Sequence, residues 1–200
     1  MTTTYKPTGC KSAKALTHEQ FLHILDDLRV EGDYKLLSIC LIMGLKGLRI
    51  SDTVALKIED IFYAVGTLRP QLKFRNKKQK KNMVVPLDNG KNPYFKEQLE
   101  TYFHLVSGRG SHTDLFPSSR YGAVTPSWVK AKLMKFSGQY GIEQISPHSF
   151  RKYCGKRMHE MGASIEIISA FYGHADVSIT QTYLDINQVE VTDAINAIDF

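Results

Sequence analysis

The chain has 200 residues, 42% of them hydrophobic and 10% aromatic, which is enough for one domain with a sizeable core. Twenty-six Lys and Arg face 20 Asp and Glu, a net charge of +6. The best apolar run, Leu36–Leu45, is too short to span a bilayer, and the first fifteen residues lack the apolar core of a signal peptide. Three widely spaced cysteines (Cys10, Cys40 and Cys154) form neither a disulfide framework nor a zinc site.

Residues 1–15 carry no periodicity and read as a flexible arm. A helix then begins at "LTHEQFLHILDDL": Thr17 caps it, Gln20 completes a capping box, and Phe21, Ile24, Leu25 and Leu28 form the buried stripe. A second, largely buried helix runs from about Tyr34, with Gly44 and Gly47 marking its end. "LRISDTVAL" restarts with Ser51 or Asp52 near a helix N-terminus. "TLRPQLKF" and "NMVVPLD" are strand-like and flank "RNKKQKK", which predicts a β-hairpin or small sheet with a basic turn. Helices resume after Pro93. Thr125 with Pro126, and Ser146 with Pro147, open two of them; Gly162 closes the second. "SIEIISAFYG" is a short helix ending at Gly173. Asp176 or Ser178 starts the next, which carries Tyr183, and "VEVTDAINAI" is the last. The fold class is mainly α (α+β), helical with a small antiparallel sheet.

The charge is unevenly spread. Arg69–Lys81 holds seven basic residues and no acidic one, which suits a polyanion such as DNA or RNA; Asp185–Phe200 holds four acidic residues and no Lys or Arg. Arg49, just after the buried helix, reads alone as a surface or salt-bridged residue, or as a guanidinium fork for phosphate. Lys77 and Lys78 sit in the basic turn. His148 and Arg151 lie one helical turn apart at a helix start that favours anions. His174 and Tyr183 follow, and a Tyr on such a helix is ordinarily a core residue. Cys40 reads as core, and nothing near Cys154 argues for a reactive thiol.

Together and in this order, these residues resemble the tyrosine recombinase/phage integrase family. "GLRISD" is similar to its first arginine box and "SPHSFRKYCGKRMHEMG" to its His-x-x-Arg box. "YGHADVSITQTY" is similar to its Gly-His box, with the nucleophile nine residues after the histidine. The resemblance covers Leu16 to the C-terminus. It implies a recombinase-type catalytic domain over residues 16–187 and a tail helix over 188–200 that docks on a neighbouring protomer. With only about fifteen residues ahead of that domain, it implies either an excised catalytic domain or a minimal member without a core-binding domain.

Carried over by position, the resemblance makes Arg49, Lys78, His148, Arg151, His174 and Tyr183 the catalytic set, with Lys77 and Lys80 competing for the role of Lys78. Arg75, Lys77, Lys80, Lys81 and Lys152 would contact DNA. Lys152 stands where relatives often have His, and Tyr172 where Leu usually precedes the Gly-His box; neither is expected to touch a catalytic group. The implied reaction breaks and rejoins double-stranded DNA through a 3′-phosphotyrosyl bond, with no metal or nucleotide cofactor. The implied assembly is a tetrameric synapse on DNA, built from monomers, in the cytoplasm and without a membrane partner. A DNA-binding accessory protein with the same fold and a type IB-like topoisomerase are the alternatives.

Overall fold

The computed structural model describes residues 13–75, 82–88, 90–107, 113–119, 122–174 and 176–184. Helix α1 (His18–Val30) starts where the capping box stands: the Thr17 hydroxyl accepts from the Gln20 N–H, and the Gln20 side chain accepts from the Thr17 N–H. Such a cap contributes roughly 1 kcal/mol. The helix buries Phe21, Ile24, Leu25 and Leu28, the four stripe positions, each worth about 1.5–3 kcal/mol when fully buried.

Helix α2 (Tyr34–Lys46) is buried without a break from Leu36 to Gly44, as expected of a helix that is apolar all round. It is the axis of the domain and packs against α1, α5 (Pro93–Ser107) and α7 (Pro147–Glu160). Gly44 does not end it. Gly44 lies inside the helix, where an added Cβ would sit 2.4 Å from the Phe21 ring, so it is a close-packing residue. The helix ends at Gly47, which takes the left-handed conformation at φ 62°. Helix α3 (Ile50–Thr53) follows with Arg49 at its N-cap, two or three positions earlier than the Ser51 or Asp52 expected. A one-turn helix, α4 (Ile58–Ile61), carries no periodic signal and was not expected.

Strands β1 (Gln71–Arg75) and β2 (Asn82–Pro86) pair antiparallel, with Leu72 opposite Val85 and Arg75 opposite Asn82. Leu72 and Val85 are buried, while Lys73 and Arg75 face out, the alternation a one-sided sheet requires. Lys46 ties the sheet to α2: its ammonium donates to the Leu87 carbonyl at 2.8 Å and sits 4.4 Å over the Phe95 ring.

Helix α6 (Pro126–Leu133) passes into a 3-10 turn (Met134–Phe136), shorter than the pattern suggested. Helix α7 opens at Ser146–Pro147, where the Ser149 hydroxyl accepts from the Ser146 N–H at 3.3 Å. Helix α8 (Ile165–Tyr172) is capped by Ser164 and ended by Gly173; α9 (Val177–Leu184) carries Tyr183. The expected arm before Ala13 and the tail helix after Leu184 lie outside the described residues.

Candidate active site

Four helix ends bring distant residues together. Arg49 follows the end of α2. Arg151 lies in the second turn of α7, His174 follows α8, and Tyr183 is the penultimate residue of α9. The sequence separates Arg49 from Tyr172 by 123 residues, yet Arg49 Nη2 donates to the Tyr172 carbonyl at 3.3 Å. Arg151, only 6% exposed, donates through Nη1 to the Gly47 carbonyl. Each guanidinium is therefore held by a carbonyl at a helix C-terminus, where the backbone dipole favours cations.

The Tyr183 hydroxyl is buried and, like Arg49 Nη1, has no hydrogen-bond partner of good geometry. Burial, the largest influence, raises its pKa above the ordinary tyrosine value; the charges of Arg151 and then Arg49 pull the other way. Both arginines thus act on this oxygen, which stays protonated in the resting protein. Burial also lowers the Arg151 pKa, opposed by Tyr183 and Tyr172, but a guanidinium so perturbed keeps its charge at neutral pH.

His174 is fixed by a 2.8 Å hydrogen bond between its Nδ1 and the buried Thr180 hydroxyl, and its ring meets the Tyr183 ring edge-on at 5.6 Å. His148 is exposed on the wall of an open cleft of about 560 Å³, which Ile50, Lys130, Lys152 and Tyr183 also line. His148 and Tyr183 are the catalytic candidates that line this cleft; Arg49, Arg151 and His174 lie behind Tyr183, acting on its hydroxyl or packing on its ring. Lys78, with Lys77, Lys80 and Lys81, lies outside the described residues; Arg75 is exposed at the end of β1.

Two expectations change. Lys152 is not a surface cation: it is 3% exposed, and its ammonium sits 5.3 Å from the centre of the Tyr183 ring. One residue beyond Arg151 it points about 100° further round α7, toward α9. Tyr172 does touch catalytic candidates. It meets Arg49 through its carbonyl and Arg151 through its ring, and its ring lies 5.4 Å from that of Tyr183 and 5.5 Å from that of His174. Sequence reasoning missed it because a tyrosine on an amphipathic helix looks like any core aromatic. Cys154 is buried, and that burial pushes its thiol up to about 11, leaving it unreactive. Among the described residues no group of three or more His, Cys, Asp and Glu side chains could share a metal ion.

The helical body with its two-stranded antiparallel sheet has the fold of tyrosine recombinase catalytic domains. The crystal structure of XerA recombinase matches it with a TM-score of 0.75 at 20% identity, over 96% of this chain and 68% of that one. XerH site-specific recombinase bound to palindromic difH substrate, in a post-cleavage complex, matches with a TM-score of 0.71 at 16% identity, over 94% and 54%. The chain belongs to the phage integrase family, whose model matches residues 14–190. A tyrosine recombinase of Pseudothermotoga lettingae is 28% identical over 172 residues, 86% of this chain and 55% of that protein. The chain spans about half the length of the curated relatives it matches.

Proposed function

We propose that this chain is the catalytic domain of a site-specific DNA recombinase that acts through Tyr183. The observation that carries the reading is a pair of unsatisfied buried groups in one site. Arg49 Nη1 is a buried donor without an acceptor, and the buried Tyr183 hydroxyl has the Arg151 guanidinium near it but no hydrogen bond of good geometry. Buried polar atoms left unpaired are rare and cost about 1–3 kcal/mol each. A phosphodiester placed between them would satisfy both.

In the proposed reaction the Tyr183 oxygen attacks the phosphorus of a duplex-DNA phosphodiester. A phosphotyrosyl bond forms to the 3′ side, the bond to the 5′-oxygen breaks, and a 5′-hydroxyl leaves. Attack by a 5′-hydroxyl from a partner strand reverses the step. The covalent bond conserves the energy, so the cycle needs no nucleotide cofactor. Arg49 and Arg151 stabilise the charge that builds on the non-bridging oxygens. His148, exposed on the cleft wall, takes the tyrosine proton, and His174, locked by Thr180, donates to the phosphate. Lys78 protonates the leaving oxygen. The raised pKa of Tyr183 makes a proton acceptor necessary at neutral pH.

XerH bound to difH DNA supports duplex DNA as the partner class. Assembly as a homo-oligomeric synapse, with residues 188–200 docked on a neighbour, belongs to the same proposal, as does a cytoplasmic, DNA-associated location. No helix of the described residues is long and apolar enough to cross a membrane.

The test uses nicked duplexes prepared from genomic fragments, so that the leaving strand diffuses away and the adduct is trapped. The expected result is a covalent protein–DNA adduct that is absent with Tyr183→Phe. No adduct across the fragment library would mean a DNA-binding protein that keeps the fold. Relaxation of supercoils without strand exchange would mean a topoisomerase.

A further inference from the structure

Tyr172 is 1% exposed and contacts four of the catalytic candidates, Arg49, Arg151, His174 and Tyr183. Its ring lies beneath Arg151, with the guanidinium carbon 4.1 Å from the ring centre. Its hydroxyl donates to the Arg151 main-chain carbonyl. Its own carbonyl accepts from Arg49. Burial pushes its hydroxyl far above the ordinary tyrosine value, so it stays neutral and donates at every working pH.

Space for this ring comes from one residue. A Cβ added at Gly155 would lie 2.6 Å from the Tyr172 hydroxyl oxygen, 2.8 Å from its Cε2 and 2.8 Å from Leu184 Cδ2. Gly155 sits inside α7 with no positive φ to require it. Glycine costs a helix interior about 1 kcal/mol relative to alanine. An isolated helical glycine of this kind has a packing reason, and here the reason is Tyr172.

We infer that Tyr172 is a positioning residue that holds the Arg151 guanidinium in the cleft, and that Gly155 is its obligate packing partner. A leucine at position 172 would fill part of the same space. It would offer neither a π face to the guanidinium nor a donor to the α7 carbonyl. The pair therefore sets the arginine geometry in this chain by a route that a branched aliphatic residue cannot supply. The chemical meaning of that geometry rests on the recombinase reading above; the geometry does not.

The test compares Tyr172→Phe, Tyr172→Leu, Gly155→Ala and the double variant Gly155→Ala/Tyr172→Leu in the full chain. One arm needs no DNA. In nuclear magnetic resonance the Arg151 Nε proton, held over a ring, is shifted upfield. The shift should persist in Tyr172→Phe and vanish in Tyr172→Leu and Gly155→Ala. The second arm measures adduct formation on a nicked duplex recovered from the fragment library. At saturating DNA the Tyr172→Leu rate should fall about tenfold while DNA affinity changes less than about threefold, and Tyr172→Phe should stay within about threefold of the parent.

The double variant should lose less than the sum of the two single variants, because the clash with the Tyr172 ring is gone and only the one with Leu184 Cδ2 remains; losses in contact pairs are non-additive in this way. A Tyr172→Leu chain with the parental rate overturns the inference, as does a Gly155→Ala chain whose Arg151 Nε proton keeps the parental upfield shift. So do additive losses in the double variant. If the parent forms no adduct, the recombinase reading fails and the resonance arm still decides whether Tyr172 holds Arg151. If Tyr172→Leu does not fold, Gly155→Ala and Tyr172→Phe carry the same comparison.

Discussion

Two buried clusters of very different size hold this chain together, and the proposed chemistry sits where they meet. The larger runs through α1, α2, α5, α6, α7 and the hairpin and is built almost wholly from aliphatic and aromatic side chains. The smaller gathers Ile168, Tyr172 and Leu184, with Met158, Ala163, Phe171 and Tyr183 packed against it. The larger anchors the backbone that carries both arginines, since α2 and α7 belong to it, while Tyr172 of the smaller touches both guanidinium groups. The smaller places the tyrosine. The difference teaches that the arginine-bearing backbone has a broad apolar foundation, whereas Tyr183, the proposed nucleophile, rides on an element with few apolar anchors. Small satellite clusters open at lower free energy than the main core.

The largest stability effect should come from the main core. Leu37 on α2 is fully buried, and Leu37→Ala should cost about 3 kcal/mol, read as a shift in the urea midpoint at constant slope. Slow amide exchange should rise throughout the molecule. Leu184→Ala removes one of three buried residues of the small cluster and should cost about 2 kcal/mol. Its signature should be confined to α8 and α9: their amides exchange faster while α2 amides are unchanged. Uniform acceleration in both variants would show that the clusters form one cooperative unit and would break the comparison.

Much of this division was open to reading beforehand, and the part that was not has a common cause. Thr17 with Gln20, Ser146 with Pro147, and the stops at Gly47 and Gly173 are local signals that act within a turn or two, so position and chemistry agree. The catalytic candidates were legible because each sits in a short motif of fixed spacing. Gly44 was read as a helix end because glycine commonly ends helices. Its reason for being there is Phe21, 23 residues earlier and on another helix. Lys152 looked like one more cation in a basic protein, and its burial beside Tyr183 depends on where α9 docks. Tyr172 and Gly155 explain each other, and neither is informative alone.

The seam between the clusters should also respond to alkali. Cys154 is held in the neutral form, its pKa raised from 9.0 to about 11 by burial. Its contribution is fully present below pH 9 and is lost as the pH climbs toward 11, because the unfolded thiol ionises first. That loss is on the order of 2 kcal/mol. Denaturant curves at pH 8 and pH 10.5 should show a smaller decline in Cys154→Ala than in the parent. An equal decline would place the alkaline sensitivity elsewhere. The smallest effect belongs to the surface: Arg29→Ala, which removes the exposed 2.7 Å pair with Asp26, should leave the urea midpoint where it is in the parent.

The contacts around the two arginines close on themselves. Arg49 reaches the Tyr172 carbonyl, the Tyr172 ring supports Arg151, Arg151 reaches the Gly47 carbonyl, and Gly47 is joined to Arg49 through Leu48. In an engineer's terms this is a four-bar linkage with one covalent bar. No joint in it can turn without turning the others, so the pair of guanidinium groups should assemble or come apart as one mechanism, with the tip of α8 as its crank.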